Sequence, residues 1–377
     1  LTQRNWTAVG LPNLPEYPIV DPRGLVTPLF DGWSVDVWLL SADGSRLLPS
    51  RLPRAQQRLL FDSGLSVKTT GRGTAMALST QAWVGDEDGR PVLSLRAEAE
   101  IAQGGIIAVA LRPYNPEGIS FIEKIKYVNE LPGWIVDGEA PLAFDRPPSK
   151  VQFSNYDHGD VLHRLNQPVQ PSAKIHCRLG LATSAALFPV PESGREHVTV
   201  KIPLTAQSKI DIASGAGWED TLKDSCRLDI PDEKISYLYN AAVRTLILLS
   251  AGEIYPGPYG YRRFWFRDAC LMLNALLALG LTGRARTAID GFPQKQKRDG
   301  YFRSQKGEWD SNGQVLWIMD RYRQLTGEPP GSDWTDAAAG GARWILRKRL
   351  PKKAGLLHGG LLPAGFSAEH LGPNDFY

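Results

Sequence analysis

The chain of 377 residues is 42% hydrophobic and 22% charged, an ordinary globular composition that excludes a wholly disordered chain. Its 43 basic and 40 acidic residues give a net charge of +3, which supplies no driving force for binding nucleic acid or an anionic membrane. Three widely spaced cysteines, and six histidines without a metal-binding spacing, indicate neither a disulfide framework nor a metal site, and no cofactor is expected.

The length predicts two or three domains, at roughly 100–200 residues per domain. The longest apolar stretch, residues 269–281, is shorter than the roughly 20 residues that span a bilayer. A signal peptide is also missing from this sequence, so a cytoplasmic location is expected. The chain begins with Leu1 and ends with Tyr377 without the features of natural termini, and we expect both ends to be truncated.

Residues 9–229 have the pattern of an antiparallel β-sandwich. Short apolar runs such as 35–40 and 106–111 are separated by turn residues. The runs 75–84 and 91–101 flank a turn that contains Asp88-Gly89, and they predict a β-hairpin. No helix is predicted in this part of the chain. We assign residues 1–230 to one β-sandwich domain.

The pattern changes to helical spacing at Asp232, which is a candidate N-cap. In the first helix Ile235 and Leu238 belong to the apolar stripe, and the second helix is apolar on nearly all sides, so it is expected to be buried all round. Ser332 or Asp333 is expected to cap the last helix, whose basic end, Arg347–Arg349, is interpreted as solvated. The predicted helices are 233–250, 268–279, 283–291, 311–325 and 333–349.

The loop before the second helix, residues 255–268, combines six aromatic residues, two prolines and three arginines. Aromatic faces such as those of Tyr261 and Trp265 can stack on sugar rings, and Arg267 and Asp268 can bind sugar hydroxyls. The alternative, that Asp268 only caps the helix and Trp265 only fills the core, remains open at this stage.

The loop before the fourth helix, residues 307–314, repeats this combination. Trp309 offers a stacking face, while Asp310, Asn312 and Gln314 offer hydrogen bonds. N-capping by Asp310 or the following serine would account for one of these residues and not for the whole cluster.

A third loop, residues 356–372, is rich in glycine and holds one carboxylate, Glu369. A carboxylate in partly apolar surroundings can have a raised pKa and act as a general acid. The alternative is an ordinary surface glutamate.

Phe264-Trp265-Phe266-Arg267-Asp268, followed by an apolar helix, resembles the W-x-R-D signature of glucoamylase-like glycoside hydrolases. Residues 307–314 resemble the element that opens the fourth helix in that family and lines the same pocket. The resemblance implies an N-terminal β-super-sandwich followed by an (α/α)6 toroid of six helical hairpins. It also implies that Trp265, Arg267 and Asp268 line the subsite of the sugar whose bond is cleaved.

The family's general acid is a glutamate in the loop between the fifth and sixth helices, and Glu369 occupies that loop, although its neighbours do not copy the glucoamylase motif. A complete toroid has twelve helices, so residues 231–377, with five, are expected to be the N-terminal part of a truncated catalytic barrel. In this family the base that activates water comes from the far end of the barrel. We therefore expect the base to lie in the remainder of the barrel, supplied by missing sequence or another chain.

Three functions are compatible with these motifs. The first is an inverting glycoside hydrolase acting on α-glucosidic linkages of a glucan or oligosaccharide, with Glu369 as catalytic acid and Tyr261, Trp265, Arg267, Asp268, Trp309 and Asp310 binding the substrate. The second is a disaccharide or oligosaccharide phosphorylase on the same scaffold. The third is a non-catalytic carbohydrate-binding homologue. The sequence alone leaves the sugar, the linkage and the oligomeric state open.

Overall fold

The computed structural model describes residues 6–62, 64–139, 141–168, 172–192, 194–204, 217–329, 331–353, 358–366 and 373–376. The chain divides into two compact units. One comprises Leu1–Asp220 with Pro258–Gly260, and the other comprises Thr221–Gly257 with Tyr261–Tyr377.

The first unit is built from β-strands. In chain order they are β1 (Thr7–Ala8), β2 (Ile19–Val20), β3 (Val26–Thr27), β4 (Ser34–Ser41), β5 (Arg46–Leu47), β6 (Gln56–Leu60), β7 (Ser66–Arg72), β8 (Met76–Glu87), β9 (Arg90–Ile101), β10 (Gly105–Arg112), β11 (Tyr114–Asn115), β12 (Gly118–Ile119), β13 (Lys124–Val128), β14 (Gly133–Val136), β15 (Leu142–Phe144), β16 (Lys150–Ser154), β17 (Lys174–His176), β18 (Thr183–Val190) and β19 (Gly194–Pro203).

The longer strands form two antiparallel sheets. One has the order β1-β2-β3-β4-β10-β18-β16 with β5 paired to β4, and the other has the order β17-β13-β14-β15-β19-β9-β8-β7-β6. The predicted hairpin is present as β8 and β9, because Asp88 and Gly89 adopt the positive φ angles of 54° and 77° that a tight two-residue turn requires. Burial alternates along β8, as expected of a strand with one face in the core.

The two sheets pack face to face as a sandwich. Phe144 of β15 and Phe188 of β18 lie on different sheets with ring centroids 5.3 Å apart, and Trp134 meets Phe144 at 5.0 Å. The other face of the first sheet is also covered, because Trp38 of β4 packs in a cluster with residues of the short 3₁₀ turn Val161–His163. Strand β4 is therefore buried on both faces.

The helices are α1 (Trp218–Leu222), α2 (Glu233–Leu248), α3 (Phe266–Ala278), α4 (Thr282–Asp290), α5 (Phe292–Lys295), α6 (Ser311–Thr326) and α7 (Ser332–Lys348). A short hairpin of β20 (Ala364–Phe366) and β21 (Pro373–Phe376) follows them. The expected order, an antiparallel sheet region followed by helices, is confirmed. Among the described residues, none of these helices is long and apolar enough to cross a membrane.

The helix boundaries follow recognisable local signals. The carboxylate of Asp232 accepts a hydrogen bond of 2.9 Å from the backbone N–H of Ile235, which is the predicted N-cap of α2. Gly280, with φ of 81°, follows α3, and Gly327, with φ of 72°, ends α6 in the left-handed conformation that glycine adopts at low cost. The expected cap of α7 is wrong, because Gly331 occupies the N-cap position and Ser332 already belongs to the helix.

Two short helices were not predicted. The expectation of no helix before residue 230 is wrong at α1, where the Trp218 indole N–H donates to the carbonyl of Gly10 at 3.0 Å. This partner lies 208 residues away, so local sequence carries little sign of it. The second is α5, which begins with Phe292-Pro293, where proline suits a first helical turn.

The core of the helical unit lies between α3 and α6. Leu273 and Leu276 of α3 and Ile318 of α6 are fully buried in one cluster. The prediction that the second helix is buried all round is wrong at Leu271, which is 55% exposed. The predicted stripe of α2 is also wrong at Ile235 and Leu238, which are about half exposed because the helix packs through Val243 and Ile247 instead.

A buried carboxylate makes the stability of the sandwich depend on pH. Asp36 accepts hydrogen bonds from the Trp38 indole N–H at 2.7 Å and from the Val37 N–H at 2.9 Å. Burial raises the pKa of Asp36 from its ordinary value of 3.8 to about 6, against the opposing effects of the Trp38 hydrogen bond and the nearby Arg112. The folded chain therefore binds this proton more tightly than the unfolded chain.

We predict that the free energy of unfolding of the sandwich falls by about 2 kcal/mol on account of Asp36 as the pH rises from 4 to 6.5. The contribution is fully present below the unfolded pKa and is lost as the pH rises through about 6. Urea titrations at intervals across this range measure it. Asp36→Asn removes this part of the slope, whereas Asp86→Asn, at the exposed end of β8, retains it. An unchanged slope in Asp36→Asn contradicts the prediction.

Candidate functional site

The residues of the aromatic loop before α3 are divided between the two compact units. Residues 258–260 belong to the sandwich unit, where the Tyr259 ring meets Trp6 at 5.4 Å and Phe30 at 5.1 Å. Burial raises the pKa of Tyr259 to about 12, with a further contribution from the neighbouring Asp31 carboxylate. Part of the aromatic content of this loop therefore serves packing within the sandwich.

The next aromatic residues lie in the helical unit at the start of α3. Tyr261 is 66% exposed, and its ring lies 6.3 Å from that of Trp265 at an angle of 54°. The Arg263 guanidinium lies 4.9 Å from the Trp265 ring centroid and donates to the carbonyl of Ser304 at 2.9 Å. Trp265 is half-buried, and the aromatic residue that fills the core here is Phe266, with 1% exposure. Tyr261 and Trp265 thus form an accessible aromatic pair.

Arg267, in the first turn of α3, forms ion pairs with two carboxylates of the loop before α6. Its Nε donates to Asp310 Oδ2 at 2.6 Å, and its terminal nitrogen lies 3.4 Å from Glu308 Oε1. The Glu308 side chain is 3% exposed, so this guanidinium neutralises charge in a place that water reaches poorly. Asp268 lies half-buried in the first turn of α3, while Trp265 occupies the N-cap position. Arg267, Glu308 and Asp310 therefore form one charged cluster.

Asp310 occupies the N-cap position of α6, but its carboxylate is bonded to Arg267. The pKa of the Cys270 thiol is raised mainly by burial and additionally by the negative charge of Asp310. Ser311, the other residue expected to cap α6, donates its hydroxyl to the carbonyl of Glu308 at 3.2 Å. Capping therefore does not account for the position of Asp310.

Trp309 lies against the C-terminal end of α7. Its ring centroid is 5.9 Å from that of Trp344 and 4.0 Å from the Lys348 Nζ, and its indole N–H donates to the carbonyl of Ala364 at 3.2 Å. The neighbouring Tyr301 stacks on Trp344 at 4.4 Å with nearly parallel rings. Trp309 is thus held in one orientation by several partners.

Two cavities flank the first turns of α6. One of about 430 Å³ is lined by Trp309, Asp310, Gly313, Gln314, Ile345, Arg349, Gly360, Leu361 and Leu362. The other, of about 310 Å³, is lined by Leu271, Gly313, Gln314 and Trp317. Gly313 and Gln314 border both, so the two cavities are adjacent along α6. This larger cavity is the candidate site.

The sequence-predicted residues are brought together only in part. Trp309 and Asp310 line the larger cavity, Arg267 is bonded to Asp310, and Tyr261 and Trp265 form a separate pair at the start of α3. Glu369 lies outside the described residues, between the paired strands β20 and β21 in sequence. The described ranges hold no cluster of three or more His, Cys, Asp or Glu side chains that could bind a metal ion.

Asn312, which the sequence suggested for sugar binding, has a structural role. It is fully buried, and its side-chain N–H groups donate to the carbonyls of Gly300 at 2.9 Å and Gly341 at 3.1 Å. Its carbonyl oxygen accepts from the N–H of Phe302 at 2.9 Å. One side chain therefore connects the turn before α6 to both α6 and α7.

Sequence reasoning also missed residues at the site. The sequence motif gives no separate role to Glu308, and the charge pattern predicts that the basic end of α7 is solvated. In the structure Lys348 contacts Trp309, and Arg349 lines the cavity. A cationic residue four positions after Trp344 on the same helix was the available signal, since such residues share a face.

We predict that Asn312→Ala lowers the free energy of unfolding by about 3 kcal/mol, because it removes the partner of several buried backbone groups. Chemical denaturation followed by circular dichroism measures the loss. Gln314→Ala, two residues along the same helix, is the matched control and is expected to change stability by less than about 1 kcal/mol. Equal effects of the two substitutions would show that the Asn312 bonds are not what holds these segments.

Arg267→Met is expected to lower the free energy of unfolding by about 3 kcal/mol, because Glu308 keeps its buried charge without this cation. Adding Glu308→Gln to the same chain should recover at least about 1 kcal/mol, since it removes that charge. Arg323→Met, which breaks an exposed pair with Asp320, should cost less than about 1 kcal/mol. Additive effects of the first two substitutions would exclude the coupling.

The fold resembles that of other solved structures. A bacterial glucoamylase complexed with acarbose matches with a TM-score of 0.68 at 12% identity, covering 90% of this chain and 58% of the glucoamylase. A protein named "Putative kojibiose phosphorylase from human microbiome" matches with a TM-score of 0.51 at 8% identity, covering 92% of this chain and 57% of that one. The chain therefore spans less than two thirds of either structure.

No protein-family model and no curated protein matches the sequence. Only structural comparison therefore links this chain to other proteins, and at identities of 8% and 12% it shows a shared fold alone. At that level the resemblance carried by the Trp265-Phe266-Arg267-Asp268 motif is confirmed. The chain shares its fold with the bacterial glucoamylase and with the protein named as a putative kojibiose phosphorylase.

Proposed function

We propose that this chain is part of an inverting glycoside hydrolase that acts on α-glucosidic linkages of a glucan or oligosaccharide. The observation that carries the proposal is the cavity of about 430 Å³ bordered by Trp309 and Asp310, on a fold shared with a glucoamylase. An aromatic wall beside a few fixed polar groups is the usual composition of a small-molecule site. The acarbose bound to the glucoamylase supports a carbohydrate as the ligand.

We assign the substrate contacts by side-chain chemistry. Trp309, Trp265 and Tyr261 offer faces on which the apolar side of a sugar ring can stack. Arg267, Asp268 and Asp310 offer donors and acceptors for hydroxyl groups. The bonds that Arg267 makes to Asp310 and Glu308 limit its motion, so less side-chain entropy is lost when a sugar binds.

Glu369 is our candidate for the general acid. In inverting hydrolysis an acid protonates the leaving oxygen while a base removes a proton from water, and that water attacks the anomeric carbon from the opposite face. We propose that the base lies in the remainder of the catalytic barrel. On this proposal residues 1–230 are a sandwich domain, and residues 231–377 are the N-terminal part of an (α/α)6 toroid.

Exposed apolar side chains of the helical unit support a missing remainder. Leu271 of α3 and Trp317 of α6 are 55% and 39% exposed, and both border the smaller cavity. Large apolar groups exposed together mark surfaces that another element covers. We propose that further helices, from additional sequence or from another chain, pack there.

A phosphorylase is the second candidate, because a protein named as a kojibiose phosphorylase also shares the fold. In that reaction inorganic phosphate replaces water as the attacking group, and no base is required. The two reactions differ in their product, since one yields a free sugar and the other a sugar phosphate. Dependence of turnover on phosphate therefore separates them.

The test is an assay of the full-length protein with maltotriose, with and without inorganic phosphate. We expect glucose to be released in both conditions at the same rate. Glu369→Gln is expected to lower kcat by at least about 100-fold, since a general acid contributes roughly 10²–10⁴-fold. Glu233→Gln, an exposed carboxylate on α2, is the control and should leave kcat unchanged.

Trp309→Ala is expected to raise KM for maltotriose by about tenfold, since it removes the aromatic wall of the cavity. Strict dependence on phosphate would favour the phosphorylase. Activity that is insensitive to Glu369→Gln would reject Glu369 as the acid. If maltotriose and related α-glucans bind but are not cleaved, the non-catalytic homologue is supported instead.

A further inference from the structure

The basic end of α7 contacts three different segments around the cavity. Arg347 donates to the carbonyl of Asp299 at 2.5 Å, Lys348 lies over the Trp309 ring at 4.0 Å, and Arg349 Nε donates to the carbonyl of Gly360. Three consecutive basic residues on a solvated surface would not be expected to have three specific partners. Asp299 lies in the turn before Phe302, Trp309 lies just before α6, and Gly360 belongs to the segment 358–362.

The backbone of segment 358–362 is also bonded to Leu350, just after the end of α7. The N–H of Leu350 donates to the carbonyl of Leu361 at 2.8 Å, and the N–H of Gly360 donates to the carbonyl of Leu350 at 2.9 Å. Gly360 has φ of 93°, and a Cβ at this position would lie 2.8 Å from the Lys352 side chain. The Lys352 side chain can move aside, so it is the positive φ that favours glycine at this position.

Trp309 and the following strand are connected in the same way. Trp344 and Lys348 lie four residues apart, so they share one face of α7, and both contact the Trp309 ring. The Trp309 indole N–H donates to Ala364 in β20, which follows segment 358–362. Trp309 and segment 358–362, which both line the cavity, thus contact the same helix end.

We propose that Lys348 and Arg349 are positioning residues of the cavity. Lys348 fixes the orientation of the Trp309 ring, and Arg349 fixes segment 358–362, so the end of α7 sets the separation between Trp309 and this segment. The proposal rests on the proposed function in one respect, that the cavity takes a neutral sugar stacked on Trp309. A cation over an indole contributes roughly 0.5–2 kcal/mol, which is enough to decide the orientation of a half-buried ring.

The geometry argues against an anion site at this basic cluster. Arg349 and Arg347 donate to backbone carbonyls, and Lys348 faces an aromatic ring. The C-terminal end of a helix carries partial negative charge, which attracts these cations and repels an anion. The three residues are therefore engaged with the protein itself.

The first experiment needs no ligand. Hydrogen exchange of Arg349→Gln, measured by mass spectrometry on the chain, should show about tenfold faster exchange in peptides covering 358–366, because a charge-assisted hydrogen bond is lost. Exchange in 233–248 serves as the folding control and should not change. Arg349→Lys should recover part of the protection, and Arg343→Gln, exposed on the same helix, should have no effect. Unchanged exchange at 358–366 in Arg349→Gln overturns the role of Arg349.

The second experiment uses maltotriose as the probe, with tryptophan fluorescence and steady-state kinetics of the full-length protein. Lys348→Gln should shift tryptophan emission and weaken binding about tenfold, with kcat changed less than KM, whereas Lys348→Arg should restore both. Tighter binding by Lys348→Gln would mean that Lys348 competes for the ring, and it overturns the proposal. If the unsubstituted protein neither binds nor cleaves maltotriose, the proposed function fails, while the exchange experiment still decides the role of Arg349.

Discussion

The helical unit depends on the hydrogen bonds of one buried amide, that of Asn312. Its donors and acceptor join the turn at Gly300 and Phe302 to α6 and to Gly341 of α7. Glycine is required around it, since a Cβ on Gly300 would lie 2.4 Å from the carbonyl oxygen of Gly340. Because Trp309 and Asp310 directly precede α6, the position of the cavity wall follows from this connection. Inside a protein, such a fully satisfied amide specifies one arrangement and penalises others.

A cluster of paired charges also holds the site together. The Arg267 guanidinium lies between the carboxylates of Glu308 and Asp310, and this pairing holds the start of α3 against the start of α6. The helices that begin at these residues form the core of the unit through Leu273 and Ile318. The charges of Arg267, Glu308 and Asp310 are paired with one another, which explains why these polar groups are tolerated beside a buried core.

Local patterns predicted much of the fold. The hairpin of β8 and β9 followed from alternation and an Asp-Gly turn, and the start of α2 followed from Asp232. The failures concern partners distant in sequence. Trp218, at the start of α1, is fixed by a hydrogen bond to the carbonyl of Gly10. Asn312 is buried where its side chain donates to the carbonyl of Gly341. Neither contact leaves a periodic signal, so residue type alone assigned Asn312 to the sugar site.

The partners of the cations near the cavity determine how well it suits an anionic ligand. Phosphate binding requires arginine or lysine donors, or a helix N-terminus that faces the ligand. Arg267 is paired with two carboxylates, Arg349 donates to the carbonyl of Gly360, and the N-terminus of α6 carries the negative charge of Asp310. A phosphate dianion in the larger cavity would meet this carboxylate and would compete for donors already in use. A neutral sugar meets neither cost, because hydroxyl groups donate to carboxylates and accept from guanidinium groups. The described part of the cavity is therefore better suited to neutral hydroxyl groups than to a phosphate dianion.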